Sequence, residues 1–139
     1  MLTIRAYAKV NLTLEVLGKR EDGYHKIASV MQTIDLCDEL RFAPSDQITL
    51  RCNLPPLETH DNLALKAATV LKEHAGYSGG AEIYLNKAIP LASGLGGGSS
   101  DAAATLKGLS HLWELDLGHE ELLPLAASIG SDVPFFLRG

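Results

Sequence analysis

The sequence predicts a single domain of the α+β class. Alternating or β-branched apolar segments fill most of the first fifty positions, whereas segments with helical periodicity mostly come later. In a doubly wound parallel sheet the two kinds of segment would alternate along the chain. The length of 139 residues is that of one domain, which can bury a core without a disulfide or a metal. No repeat, low-complexity tract or linker divides the sequence.

The first elements are predicted to be β-strands. A polar turn at 19–25 contains Asp22-Gly23, a pair that favours tight hairpin turns, so the flanking strands are expected to pair. A second turn is expected at Pro44. The segments predicted to be strands are 2–8, 11–17, 27–40 (one bent strand or two), 47–52, 81–87 and a terminal strand at 133–137.

Three later segments carry the apolar spacing of amphipathic helices. The first opens at Asp61 and ends at Gly76. The second starts near Ser99 or Ser100 and has an apolar stripe made of Ala102, Leu106, Leu109 and Trp113. The third spans roughly 119–129, and Pro124 is expected to kink it or delay its start because proline removes a helical hydrogen bond.

Charge and composition exclude several classes of function. The net charge is −5, so the chain lacks the basic surface on which non-specific nucleic-acid binding depends, and no nucleic-acid partner is expected. Any anionic ligand must be held by local donors. Neither Cys37 nor Cys52 belongs to a metal motif, and two reduced thiols are favoured over a disulfide. The histidines show no ligand spacing, and no metal ligands are assigned.

The N-terminal segment and the apolar runs favour a cytoplasmic protein with no membrane partner. Arg5 and Lys9 interrupt the N-terminal apolar stretch before it could form a signal-peptide core. No apolar run approaches the roughly 18 residues that a membrane span needs.

The loop before the second helix has the most informative composition. Four of the five residues from Gly94 to Gly98 are glycines, which is costly in backbone entropy unless the backbone must approach something closely. The loop runs into a helix start, where free N–H groups and the helix dipole favour an anion. A flexible surface loop with an ordinary helix cap is the alternative, but the combination favours a phosphate site. A carboxylate at Asp101 would repel a triphosphate unless Mg²⁺ or a lysine lay between them.

Common loop motifs do not account for this segment. A Walker A loop would need a lysine before Ser99 or Ser100, and none is present. The dinucleotide fingerprint would need its last glycine at Ser99 or Asp101. A serine nucleophile elbow beginning at Gly97 would have to close on a glycine, where Asp101 stands.

Residues Pro90 to Ala104 resemble the phosphate-binding motif of the GHMP small-molecule kinases. Three further segments match that family in the same order, Ala8 to Leu12, Asp22 to His25 and Gly130 to Phe135, so the resemblance covers almost the whole chain. It implies that residues 1–139 form the family's N-terminal, ATP-binding domain, similar to ribosomal protein S5 domain 2. That domain has a mixed sheet with helices packed on one side. The family's C-terminal domain is absent from these residues.

The resemblance also implies an activity. It points to ATP-dependent phosphorylation of an alcohol, with Mg²⁺ assumed to accompany ATP. The matching branch of the family acts on a small molecule carrying a cytidine diphosphate group, in the non-mevalonate route to isoprenoid precursors. Without the C-terminal domain, the chain is expected to phosphorylate poorly or not at all. A non-catalytic S5-like binding module, another GHMP kinase, and a serine hydrolase using Ser99 or Ser100 remain as alternatives.

Roles for individual residues follow from the resemblance. Asp132 would be the general base, and Lys9 would hold Asp132 and stabilise the transferring charge. Substrate contacts are implied for Asn11, Tyr24 and His25. The implied ATP-binding residues are Asn62, Lys87, Pro90, Leu91, Ala92, Ser93, Gly94, Leu95, Gly96, Gly97, Gly98, Ser99 and Ser100.

Each of these assignments has an ordinary alternative. Taken alone, Lys9 is typical of a solvated lysine on a strand, and Asp132 is typical of a turn residue after a helix. Tyr24 and His25 are also typical of a hairpin in which an aromatic side chain packs at the turn and a histidine is exposed. Asn62 reads as a helix cap and Lys87 as a solvated lysine at the end of a strand.

Overall fold

A four-stranded mixed sheet forms one layer of the fold, in a computed structural model that describes residues 1–19, 25–91 and 94–138. The spatial order of the strands is β1-β2-β4-β3, with β3 parallel to β4 and the other two pairings antiparallel. The strands are β1 (Leu2–Lys19), β2 (His25–Ser45), β3 (Thr49–Cys52) and β4 (Gly80–Asn86). The predicted α+β class and mixed sheet are confirmed.

Helices form the second layer and contribute the other half of the core. They are α1 (Leu63–Ala75), α2 (Gly97–Leu112), α3 (His119–Ile129) and α4 (Val133–Arg138), with a 3-10 turn at Pro55–Leu57. The predicted apolar stripe of α2, made of Ala102, Leu106, Leu109 and Trp113, is buried. Leu40, Phe42, Ile83 and Leu85 are buried on the facing strands. No helix in the described ranges is long and apolar enough to cross a bilayer.

Gly108 shows how closely α2 lies on the sheet. A Cβ built there would come within 2.5 Å of Cε2 of Phe42. Since no side chain fits between them, the glycine and the small residues before it let α2 pack directly onto β2. This contact sets how closely the C-terminal half of α2 lies on the sheet.

The β1–β2 ladder is irregular at one place that matters for the site. Tyr7 pairs with Cys37, but Lys9 pairs with Thr33, so the register shifts between them. Arg5 and Tyr7 are exposed, and strict alternation would expose Lys9 too, yet Lys9 is only 4% exposed. Irregularities of this kind bend a strand and re-aim the side chains beside them. The alternative of a solvated strand lysine at Lys9 is therefore wrong.

The ends of α1 follow the predicted signals. The Asn62 side chain accepts a hydrogen bond from the N–H of Ala64 at 2.9 Å, which caps the helix start. Gly76 adopts the left-handed conformation (φ 63°) that glycine tolerates best, and α1 ends there.

Two predictions about helices and strands are wrong. The turn expected at Pro44 is part of β2, where Pro44 pairs with Ala81. The segment 133–137 is the helix α4, because Val133, Phe136 and Leu137 bury one helical face and Pro134 lies in the first turn, where no helical N–H is needed. Of the two effects expected of Pro124, a kink or a delayed start, the delay does not occur, since α3 already begins at His119. In addition, α2 begins at Gly97, slightly before the predicted start at Ser99 or Ser100.

Candidate active site

The start of α2 presents backbone donors without a side-chain cap. The N-cap residue Gly96 has φ 72° and offers no capping side chain, and the first helical bond runs from the N–H of Ser100 to the carbonyl of Gly96 at 2.8 Å. Within the described residues, the N–H groups of Gly97, Gly98 and Ser99 have no hydrogen-bond partner. Unpaired donors at a helix start attract anions, which agrees with the predicted phosphate site.

Glycine at positions 96 and 97 brings two lysine side chains against this loop. A Cβ on Gly96 would lie 2.8 Å from Cζ of Phe136 and 3.1 Å from Cγ of Lys9. A Cβ on Gly97 would lie 3.0 Å from Nζ of Lys87. The loop therefore packs between Lys9 on one side and Lys87 on the other, as a larger residue would not allow.

A cleft of about 270 Å³ opens beside Gly97 and Gly98. It is lined by Leu57, Asp61, Asn62, Leu63, Lys87, Pro90, Leu91, Gly97, Gly98 and Asp101. Six of these, Asn62, Lys87, Pro90, Leu91, Gly97 and Gly98, are among the predicted ATP-binding residues. Positions far apart in the sequence thus meet at one cleft, next to the uncapped helix start.

Lys87 is the centre of a buried charge cluster at the back of this cleft. Its Nζ lies 2.5 Å from Oδ2 of Asp38 and 2.9 Å from Oδ2 of Asp101, and all three side chains are at most 4% exposed. The solvated-lysine alternative for Lys87 is therefore wrong. Of the two possibilities left open at Asp101, Mg²⁺ or a lysine, the structure places a lysine, Lys87, beside it.

The protonation of this cluster is set by burial and by its members' contacts. Burial and a hydrogen bond with Asp38 raise the pKa of Asp101 to about 8, against the opposing effect of Lys87. Burial alone would raise the pKa of Asp38, but hydrogen bonds from Asp101, two backbone N–H groups and Lys87 outweigh it and lower that pKa. The nearby carboxylates outweigh burial at Lys87 and raise its pKa. At neutral pH, a carboxylate, an ammonium and a protonated carboxyl face one another.

One atom of the cluster remains without a partner. Oδ1 of Asp101 is buried and forms no hydrogen bond in the described structure. An unpaired buried polar atom is costly, and protonation of Asp101 lowers that cost because a carboxyl is less strongly hydrated than a carboxylate.

Two side chains hold the chain as it leaves β4 for the loop. Oδ1 of Asp38 accepts hydrogen bonds from the N–H groups of Ala88 (2.7 Å) and Ile89 (2.8 Å). The Asn53 amide accepts from the N–H of Lys87 at 2.7 Å and donates to its carbonyl at 3.1 Å. Nothing in the local sequence singles out Asn53. The one signal for Asp38 is an acidic residue inside an apolar strand segment.

Asn62 serves as a cap and as a wall of the cleft. Its Oδ1 caps α1, and its Nδ2 donates to the carbonyl of Leu57 at 3.1 Å. The helix-cap alternative is therefore realised, and the same residue also lines the cleft.

The Lys9 side chain lies against the start of α2, and the segment just before Asp132 approaches it. The N–H of Lys9 donates to the carbonyl of Leu95 at 2.8 Å, and its side chain contacts the loop at Gly96. Asp132 is half-buried before α4, and a Cβ on the nearby Gly130 would lie 4.0 Å from Oγ of Ser99. No ion pair joins Lys9 to Asp132, both of which the structure describes, so the expected direct contact is not formed.

The remaining predicted residues are only partly described. Asn11 is exposed on β1, two residues beyond Lys9. Tyr24, Ala92, Ser93 and the side chain of His25 lie outside the described residues. Ser100 is buried, Ser99 is half-buried, and neither bonds to a histidine within the described ranges, which disfavours a serine hydrolase. In those ranges no three His, Cys, Asp or Glu side chains are placed to hold a metal ion.

Comparison with known proteins gives consistent matches. A 4-diphosphocytidyl-2-C-methyl-D-erythritol kinase from Synechococcus sp. (strain CC9902) is 53% identical over 143 residues, covering 100% of this chain and 47% of that protein. One from Caldanaerobacter subterraneus subsp. tengcongensis is 50% identical and covers 99% of this chain and 48% of its own length. The chain thus spans about half the length of the curated relatives it matches.

Solved structures share the fold. The crystal structure of a 4-(cytidine 5'-diphospho)-2C-methyl-D-erythritol kinase superposes with a TM-score of 0.78 at 43% identity, covering 99% of this chain and 49% of that one. A mevalonate kinase structure gives a TM-score of 0.71 at 21% identity, over 93% of this chain and 46% of that one, which shows similarity of fold alone. A family model described as the GHMP kinases N terminal domain matches residues 62–139, more than half of the sequence. The chain belongs to the GHMP kinase family.

Proposed function

We propose that the chain is the N-terminal, ATP-binding part of a kinase that phosphorylates a hydroxyl of 4-diphosphocytidyl-2-C-methyl-D-erythritol. The reaction serves the non-mevalonate route to isoprenoid precursors, in the cytoplasm. The observation that carries the proposal is the cleft in which Asn62 and Lys87 meet the uncapped start of α2 at Gly97 and Gly98. The relatives that match the whole chain, at about half of their own length, are named as kinases of that substrate.

The loop fits the phosphates of ATP on grounds of charge and donors. The protein has a net charge of −5, so its overall field does not attract a polyanion, and local donors must hold it. The N–H groups of Gly97, Gly98 and Ser99 supply such donors at the positive end of a helix dipole. Leu57, Leu63, Pro90 and Leu91 give the cleft apolar walls on which a nucleobase can lie.

The charge cluster at the back of the cleft keeps carboxylates from repelling the nucleotide. Lys87 lies between Asp38 and Asp101, and the pKa of Asp101, raised to about 8, leaves that carboxyl mostly protonated at neutral pH. ATP supplies the phosphoryl group, and Mg²⁺ bound with it screens the charge of the phosphates. No carboxylate cluster in the described residues provides a separate metal site.

Lys9 and Asp132 are the proposed catalytic residues. Asp132 accepts the proton of the substrate hydroxyl as its oxygen forms a bond to the γ-phosphorus, while the bond from that phosphorus to the leaving ADP oxygen breaks. The Lys9 ammonium has no ion-pair partner in the described structure, so its charge is available to the transferring phosphoryl group and to Asp132. Their common position beside the α2 start supports these roles.

The substrate is proposed to lie along the hairpin formed by β1 and β2. Asn11, exposed near Lys9, contacts it close to the reacting hydroxyl. Tyr24 and His25 grip the cytidine by stacking and hydrogen bonding, and a base stacked on an aromatic ring contributes about 1–3 kcal/mol. The relatives are about twice as long as this chain, and their additional length is proposed to complete the site, so the 139 residues bind ATP but turn over slowly or not at all.

Mass spectrometry of reaction products tests the function. A chain extended to the full length of its relatives is incubated with Mg-ATP and a panel of alcohols that includes 4-diphosphocytidyl-2-C-methyl-D-erythritol, mevalonate and homoserine. A gain of one phosphoryl group on the cytidine compound alone supports the proposal. Phosphorylation of another alcohol identifies a different GHMP kinase, and no phosphorylation of any alcohol by the folded protein favours a binding module.

A further inference from the structure

Asp38 is a fully buried carboxylate that contacts Asp101 and three consecutive residues, Lys87, Ala88 and Ile89. Its side chain is 0% exposed and projects from β2. Oδ2 accepts from the Lys87 ammonium at 2.5 Å, and Oδ1 accepts from the N–H groups of Ala88 and Ile89. These residues follow β4 directly and lead into the glycine-rich loop. A buried carboxylate is tolerated only when its oxygens are satisfied, and here these three donors satisfy them.

The residues that Asp38 holds are also those that pack against the first residue of α2. A Cβ built on Gly97 would lie 3.0 Å from Nζ of Lys87 and 3.0 Å from Cγ2 of Ile89. Both side chains therefore set how far Gly97 can move towards the sheet. Since Gly97 also lines the cleft, the position of its N–H depends on the segment that Asp38 fixes.

Asn53 holds the same segment from another strand. Its amide hydrogen-bonds to both the N–H and the carbonyl of Lys87, as a neighbouring strand would. Asn53 follows β3, whereas Asp38 belongs to β2, so side chains from two parts of the sheet together hold Lys87.

We propose that Asp38 is a positioning residue for nucleotide binding: it fixes Lys87 and Ile89, and through them the start of α2 at the cleft. Asp38 does not line the cleft itself. The inference rests on the proposed ATP site and adds a residue that acts on the nucleotide through its neighbours. A purely structural role would instead affect only the stability of the fold.

The test compares Mg-ATP affinity with stability in Asp38→Asn. The asparagine keeps the size of the side chain and one acceptor oxygen, but it removes the charge facing Lys87. We expect the dissociation constant for Mg-ATP, measured by calorimetry, to rise about tenfold or more, since hydrogen bonds to charged groups contribute that much. Hydrogen exchange at Ala88 and Ile89 should accelerate, because their N–H groups lose a carboxylate acceptor.

Two control variants separate positioning from stability. Asp35→Asn makes the same change at an exposed position of β2 and should leave affinity and melting temperature unchanged. Trp113→Phe removes a buried hydrogen bond from Nε1 to the carbonyl of Gly80 at the other end of α2. It should lower the melting temperature without changing the affinity.

The outcomes distinguish this inference from the proposed function. If the wild-type chain binds no Mg-ATP, the ATP site and this inference both fail. If Asp38→Asn is less stable but binds like the wild type, or if Trp113→Phe loses as much affinity as Asp38→Asn, the positioning role is overturned and the ATP site stands. Should Asp38→Asn not fold, Asn53→Ala loosens the same segment at an exposed side chain. Unchanged affinity in that variant equally overturns the inference.

Discussion

Lys9 is joined to Leu95 by a backbone hydrogen bond, and its side chain packs beside the next residue, Gly96. The N–H of Lys9 bonds to the carbonyl of Leu95, and a Cβ on Gly96 would come within 3.1 Å of Cγ of Lys9. The N-terminal strand is thereby joined to a loop almost ninety residues later in the sequence. Because this hydrogen bond uses only backbone atoms, it can hold the loop against the strand whatever side chain occupies position 9.

Replacing Gly96 with alanine should destabilise the protein. The residue has φ 72°, and the added Cβ would lie 2.8 Å from Cζ of Phe136. A left-handed non-glycine residue alone costs about 1–3 kcal/mol, and the contact with Phe136 adds to that cost. Urea unfolding measures the loss. Gly94→Ala has similar backbone strain (φ 75°), but its Cβ would have no neighbour within 4 Å, so its free energy of unfolding should fall less. Gly118→Ala lies in open space without positive φ, and its free energy of unfolding should fall least. Equal losses in all three variants would contradict this account.

Replacing Lys9 or Asp132 should impair the proposed phosphoryl transfer in a chain extended to the length of its relatives. Lys9→Ala or Asp132→Asn should lower kcat by at least about 100-fold, the scale expected for loss of a positioned acid–base group. Coupled detection of ADP release measures kcat. Lys66→Ala and Asp116→Asn change the same residue types at exposed positions and should leave kcat unchanged. Near-normal kcat in either site variant would show that its role has been misassigned.

The free energy of unfolding should depend on pH through the titration of Asp101. Its pKa is about 8 in the folded protein and 3.8 in the reference state, so between these values the folded protein binds the extra proton. Stability from this group therefore falls as pH rises from about 4 towards 8. Asp101→Asn lacks this proton, so its stability relative to the wild type should increase over that range.

Urea unfolding of both proteins from pH 5 to 8 measures this difference. The other groups that face Asp101 are Asp38, Lys87 and Cys52, and their shifted pKa values keep their charges constant over that range. The pKa of Asp38 is lowered, that of Lys87 is raised, and burial raises that of the Cys52 thiol. A difference between wild type and variant that does not depend on pH would show that Asp101 is ionised throughout.

Removing the cation from the buried cluster should lower the free energy of unfolding more than removing the cation and one anion together. Lys87→Met leaves Asp38 without its ammonium partner and should cost about 3–5 kcal/mol, as is typical when one member of a buried ion pair is lost. The double variant Lys87→Met/Asp38→Asn leaves fewer unpaired charges and should recover part of that loss. Chemical unfolding of the four proteins in this cycle measures the coupling. Additive losses would indicate that the ion pair contributes nothing to stability.

Local signals in the sequence were sufficient where local contacts decide the structure. Asn62 and Gly76 delimit α1 through hydrogen bonds and backbone angles within a few residues of themselves. The segment 133–137 is wrongly predicted as a strand because it is short and apolar. Over six residues, the patterns of a strand and a helix are hard to separate. Its helical state is decided by the burial of Val133 and Phe136 against the rest of the fold.

The site was predicted only as far as its motifs extend. The glycine-rich loop, together with the resemblance, predicted that Asn62 and Lys87 belong beside Gly97, and they line one cleft. Asp38 carries no such signal because its partners lie 49 to 51 positions away. A contact of that range depends on which strands pair, and the register shift between Tyr7 and Lys9 likewise depends on the assembled sheet.

The uncapped start of α2 has a practical consequence for handling this protein. Gly96 supplies no side chain to cap the helix, so small anions in a buffer can occupy the donors of Gly97, Gly98 and Ser99. An anion that binds only the folded state raises the melting temperature, and the increase grows with the logarithm of its concentration once that exceeds the dissociation constant. Sulfate or phosphate buffers would thus act as competing solutes, and a thermal-shift screen run in them would conceal the nucleotides it was meant to find.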